Sequence, residues 1–305
     1  MRERRPSRRA LLRYAGVGAA ASVAGCLFDS SDEESQNGEE NGMDNGNEEP
    51  NYSEQFELAG DGTAGFRNWL VPDNPLDLGV EVTSVCGYRD FETGVEQGVS
   101  RTETYRRELA NGYGTVPDAL EGELLVGAPE GTGRRQIHLG SFEDGAVVET
   151  FAGSEDFTQV EEYREYTIFE SGPGNRVAIG PDAILSVSTY EQYIDASYGD
   201  AERLVDVDED ARLLFDILPR GVQIGVSRHG NLDDLSINGS SYHTLNDSGN
   251  PERTTRAFVF GEESDATVER AREIISIGET GYEEILTEEQ HGRLVMIEYI
   301  VEWSG

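Results

Sequence analysis

The sequence predicts an α+β domain, antiparallel sheets faced by helices, and three observations carry that expectation. Short runs of strand character recur at 120–126, 135–139, 165–169, 176–179 and 183–187. Other runs have helical spacing with acids at their start, clearest at 208–218, where Leu213, Leu214, Ile217 and Leu218 share one face. Finally, one order of strand, glycine turn and acidic helix start occurs twice.

The globular pattern begins near residue 56. Residues 65–70 form a short helix stopped by Pro72, and 78–85 a first strand leading to Cys86. Residues 101–110 fit a helix with Gly112 and Gly114 beyond its end, followed by strands at 120–126 and 135–139. A helix at 143–151, strands at 165–169, 176–179 and 183–187, and a helix at 190–198 precede the acidic-headed helix at 208–218. Residues 231–250 are rich in Gly, Asn and Ser and predict an exposed loop.

The repeated order joins 135–144 to 256–265. Each is a strand ending in Gly140 or Gly261, followed by acids that open a helix and, later, by another strand. This suggests two half-domains at about 56–200 and 201–305, with ferredoxin-like packing as the leading expectation. A chance similarity is the alternative, because the shared positions are few. Some 250 residues suffice for a sizeable core, in one domain or two.

The amino terminus has another character. Arg2, Arg4, Arg5, Arg8, Arg9 and Arg13 give a positive start, and residues 14–25 carry no charge and are mostly Ala, Gly and Val. That is a signal-peptide layout, too short for a membrane-spanning helix of about 20 apolar residues. Ser7-Arg8-Arg9-Ala10-Leu11-Leu12-Arg13 resembles the twin-arginine export motif, and Val23-Ala24-Gly25-Cys26 resembles a lipobox.

The two together resemble the start of a Tat-exported lipoprotein. The resemblance implies that Arg8 and Arg9 are read by the translocase and that residues 1–25 are removed. It also implies that Cys26 becomes the lipid-bearing first residue, anchored in membrane lipid on the outer face of the cytoplasmic membrane. One lipid chain binds only marginally, so stable attachment implies two. Residues 26–55 hold ten acids, no basic residue and almost no apolar content, the composition of a disordered tether.

Composition narrows the rest. The 305 residues carry 60 Asp and Glu against 24 basic residues, all arginine, for a net charge of −36. Such an excess over a globular composition resembles proteins of extreme halophiles, in which concentrated salt screens self-repulsion; an acidic mesophile surface protein is the alternative. Nucleic acid is excluded as a partner, because phosphate binding rests on clustered Lys and Arg. The missing lysine also removes the P-loop, Schiff-base chemistry and Ser-Lys catalysis.

Candidate sites are few. Cys26 and Cys86 are the only cysteines; lipidation consumes the first, and Cys86 reads as a small buried apolar residue. His138, His229, His243 and His291 show no zinc or copper spacing. Asp206, Asp208 and Asp210 alternate as in a calcium loop, but Ala211 stands where the loop needs Gly and Ile217 where it needs Glu. No metal or cofactor is therefore expected. Sequons at Asn51, Asn238 and Asn246 are candidate N-glycosylation sites. The expected function is a non-catalytic surface lipoprotein binding an envelope protein or small ligand; the rival is an extracytoplasmic hydrolase with a carboxylate pair hidden among the acids.

Overall fold

The computed structural model of the chain describes residues 65–72, 82–126, 135–142, 145–172, 174–187, 189–229, 232–245, 251–278 and 282–301. They form an α+β fold built on one antiparallel sheet. In chain order the elements are β1 (Val82–Asp90), α1 (Phe91–Glu96), α2 (Ser100–Tyr113), β2 (Leu120–Val126), β3 (Arg135–Gly140), α3 (Ala146–Ala152), β4 (Thr158–Tyr163), β5 (Tyr166–Glu170), β6 (Arg176–Ile179) and β7 (Ala183–Ser186). There follow α4 (Tyr190–Tyr198), α5 (Leu204–Val207), α6 (Glu209–Ile217), β8 (Gln223–His229), β9 (Leu235–Leu245), β10 (Pro251–Phe260), α7 (Val268–Gly278), β11 (Tyr282–His291) and β12 (Leu294–Val301). A 3-10 turn at Phe66–Trp69 stands where the short first helix was expected.

Among the described residues the strand order is β11-β12-β10-β9-β8-β1-β2-β3-β7-β6-β5-β4. Its two arms follow one plan. In each, three consecutive strands pair in order, a helix follows the third, and a returning meander lays its last strand against that third strand: β7 on β3, β12 on β10. The returning part has four strands in the first arm and two in the second, and β1 against β8 joins the arms. The repeat noticed at 135–144 and 256–265 falls on the equivalent third strands. Every described pair is antiparallel, as expected. The packing differs from the ferredoxin-like expectation in strand order, since β1-β2-β3 and β8-β9-β10 pair consecutively, and in that the arms share one sheet instead of forming two.

Alternation along the strands sorts side chains to two faces. One face carries Leu124, Ile137, Leu185, Ile224, Ile237, Ala257 and Met296, and it packs in a single core with Phe66, Trp69, Tyr190, Tyr193, Leu214, Phe215 and Ile217. Helix α6 suits this role because Asp208 caps it, accepting from the Ala211 N–H at 2.9 Å, and buries Ala211, Leu214, Phe215 and Ile217 on one stripe. The opposite face carries two smaller cores. Phe91, Leu109, Phe151, Phe169 and Ile184 meet beneath α1, α2 and α3. Phe258, Phe260, Ile275, Val295 and Tyr299 meet beneath α7.

Several boundaries moved from expectation. Within the stretch 231–250 expected as an exposed loop, Leu235–Leu245 is instead the inner strand β9, flanked by β8 and β10. Helix α2 runs through Gly112 and ends at Gly114, which takes the left-handed conformation at φ 71°. The β4–β5 hairpin turns through Arg164 at φ 54°, the only non-glycine with positive φ among the described residues. Its guanidinium is held there by Asp195 and Asp200, at 2.7 and 2.8 Å.

Candidate functional site

The most concentrated buried polar chemistry lies on the sheet beneath α2. Register places Arg89 on β1 opposite Glu123 on β2, and Glu123 opposite His138 on β3, so three ionisable side chains form one row across three strands. Glu123 and His138 are each 1% exposed. Burying a carboxylate costs heavily unless donors surround it. Glu123 has them: Arg89 Nη1 donates to Oε2 at 2.9 Å, the Tyr105 hydroxyl donates to Oε1 at 2.7 Å, and the Gln136 amide donates to the same oxygen.

His138 completes the group. Its Nδ1 is 2.9 Å from the Tyr113 hydroxyl, and its Nε2 lies 3.7 Å from Glu123 Oε1 with no hydrogen-bond partner. Burial pushes the Glu123 carboxyl upward, but His138, Arg89 and the Tyr105 hydroxyl together outweigh it and hold the group at about 2. Tyr105 and Tyr113 are both pushed well above the usual phenol range by burial, then by the Glu123 charge, so each stays protonated. The arrangement holds the Glu123 carboxyl as an anion.

A second feature is an open cleft lined by Glu121, Gly140, Ser141, Glu165, Pro181, Asp182, Ser197 and Tyr198. Here too the carboxylates accept bonds, Asp182 from the Tyr166 hydroxyl and Glu165 from that of Tyr198 at 2.9 Å. The guanidinium of Arg164 stacks over the Tyr198 ring at 4.9 Å.

Most sequence-predicted site residues, Arg8, Arg9, Cys26, Asn51 and Asn246, lie outside the described residues. Asn238 lies on β9, 5% exposed, and its amide donates to the Ser227 carbonyl at 3.3 Å. The exposed loop expected around that sequon is absent, and a glycan there would have to break the sheet face. Cys86 is buried and free, and burial pushes its thiol far above the range of a reactive thiolate.

The aspartate triplet is spent on structure. Asp206 pairs with Arg203, Asp208 caps α6 and holds Arg228, and Asp210 holds Arg293 at 2.7 Å and accepts from Ser236. No cluster of three or more metal-ligating side chains occurs among the described residues, and no helix there is long and apolar enough to cross a membrane.

The buried row was missed from sequence, although a signal was present. Within the strand Leu120–Val126, Glu123 stands in an apolar setting, and in β3 alternation puts Gln136 and His138 on the face opposite Ile137 and Leu139. A charged residue and a histidine inside strands of a sheet covered on both faces predict a buried pair.

No family model matches the chain, and no curated protein matches it. Solved structures of TP0453 are similar in outline. Crystal form III aligns with a TM-score of 0.44 and 10% identity over 78% of this chain and 94% of that one; crystal form I aligns at 0.42 and 11% over 77% and 92%.

Proposed function

We propose that this chain is a Tat-exported lipoprotein, held by lipid on Cys26 at the outer face of the cytoplasmic membrane, whose α+β body binds an envelope protein or small ligand without catalysis. The observation that carries the reading is the pairing of Arg8-Arg9 with Val23-Ala24-Gly25-Cys26 in the right order at the amino terminus. Two features of the body support a binding role over chemistry. Among the described residues, the carboxyl groups of Glu123 and Asp234 are displaced downward, Glu123 with Arg89 and His138 beside it and Asp234 by the Arg270 guanidinium. Arginines on both arms are committed to carboxylates within the fold, among them Arg89, Arg164, Arg220, Arg253, Arg270 and Arg293.

Cys26→Ser tests the anchor. The variant is expected to move from the detergent phase to the aqueous phase on partitioning; retention in detergent would overturn the reading. High-salt adaptation belongs to the same proposal, and the body is expected to melt at lower temperature in dilute than in molar salt.

One observation favours a second reading, an extracytoplasmic hydrolase. The open cleft brings Glu121, Glu165 and Asp182 to one surface. If that reading holds, Glu165→Gln and Asp182→Asn abolish turnover of any glycoside or ester substrate that the native chain cleaves, while the fold's melting temperature changes little.

A further inference from the structure

We infer that α1 and α2 form a cover that lifts from the sheet as a unit while the remainder of the fold stays closed, and that lifting bares the imidazole of His138. The two helices are an insertion between β1 and β2, neighbours in the sheet. Gly98, at φ 74°, turns the chain between the two helices, and Gly114, at φ 71°, ends the second, so backbone suited to a change of direction lies where the cover returns to β2.

The fastening of α2 differs from that of α6. In fourteen residues α2 buries only Thr102, Leu109 and Ala110. The hydroxyls of Tyr105 and Tyr113 fix it to Glu123 and His138, and Arg106 Nε donates to the Leu120 carbonyl at 2.8 Å. Helix α6 buries Ala211, Leu214, Phe215 and Ile217 in nine residues. Water replaces hydroxyl bonds when a helix lifts, whereas it does not replace apolar packing. The element with few apolar contacts and polar fastenings is therefore the one that opens first. Its apolar cost falls on Phe91, Leu109 and Ala110, on the rings of Tyr105 and Tyr113, and on Phe151, against which Tyr113 stacks.

The floor tolerates the loss. Arg89 and Gln136 belong to β1 and β3 and keep their bonds to Glu123 after Tyr105 departs, so opening strips no charge of its partners. His138 Nε2 lies 3.7 Å from Glu123 Oε1, beyond hydrogen-bond reach, while the cover is closed, and opening admits water to it.

The test follows carbethoxylation of His138 by diethyl pyrocarbonate, read by peptide mass mapping on the full chain, together with amide exchange across α2 and α6. In the unsubstituted chain, His138 modification and exchange across 100–113 should depend only weakly on added urea, while exchange across 209–217 depends steeply. The Tyr105→Phe/Tyr113→Phe variant should speed both cover signals about tenfold or more, leaving the ratio of cover to α6 exchange raised. His138 modification with the same steep urea dependence as α6 exchange, in either chain, would overturn the cover, because imidazole exposure would then need global unfolding.

Discussion

On one face of the sheet, α6 sets Leu214, Phe215 and Ile217 into a core that runs beneath both arms; on the other, α2 rests two phenols on a row of Arg89, Glu123 and His138. The first contact is non-directional and scales with the apolar area withdrawn from water. The second is directional, and its worth depends on every donor staying in place. Continuity of the apolar core joins two arms of similar plan in one packed body, and the polar row is where, on the inference above, part of the chain loosens without dissolving that body.

Four substitutions or conditions can break or sharpen this contrast. Leu214→Ala should have the largest effect, roughly 3 kcal/mol, because a fully buried side chain leaves a cavity in the shared core. In urea it should move the midpoint for both arms together without changing the slope. Separate transitions for the two arms would contradict the shared core.

Lowering pH should cost about 3 kcal/mol through Glu123 alone. Its carboxyl sits at about 2 in the folded chain against an ordinary 4.5, so the unfolded chain takes the proton more readily. The contribution is complete above about 4.5 and is lost as pH falls toward about 2. Chemical denaturation at a series of pH values checks it, and Glu123→Gln should flatten that part of the profile.

At neutral pH the same Glu123→Gln change should destabilise by about 2 kcal/mol, since the Arg89, Tyr105 and Gln136 donors lose a charged acceptor. The smallest effect belongs to Asp208→Ala, about 1 kcal/mol through loss of the α6 cap, with a matching fall in helical signal. An Asp208→Ala effect larger than that of Leu214→Ala would mean that α6 is held by its end and not by its apolar stripe.

The parts of the fold that could be read from sequence are those where local pattern and tertiary setting agree. Residues 120–126, 176–179 and 190–198 fall where their patterns put them, and Asp208 through Leu218 frames α6 with a cap at each end. β9 was misread because its composition serves packing. A Cβ on Gly239 would come within 2.6 Å of Leu218 Cδ1, so this strand is small and polar where α6 presses on it, which from sequence resembles a loop. Strand β4 escaped notice because it is an edge, exposed on nearly every residue, with no alternation to read. Helix α1 is short and contains Gly94, where a Cβ would lie 2.7 Å from Thr102; contact with α2 explains the glycine, and no local propensity announces it. For the buried row, sequence supplied the residue types but not their neighbours, since Glu123 meets Arg89 and His138 only through strand register.

The seam between β1 and β8 runs from Val82 opposite His229 to Arg89 opposite Gln223. A molecule divided there would leave each fragment with a long naked rim of amides and carbonyls, an invitation to pair with whatever strand came by. In this architecture the likeness of the arms is also a safeguard: each supplies the border that the other lacks, so the polypeptide carries within itself the partner that a lone arm would have to recruit.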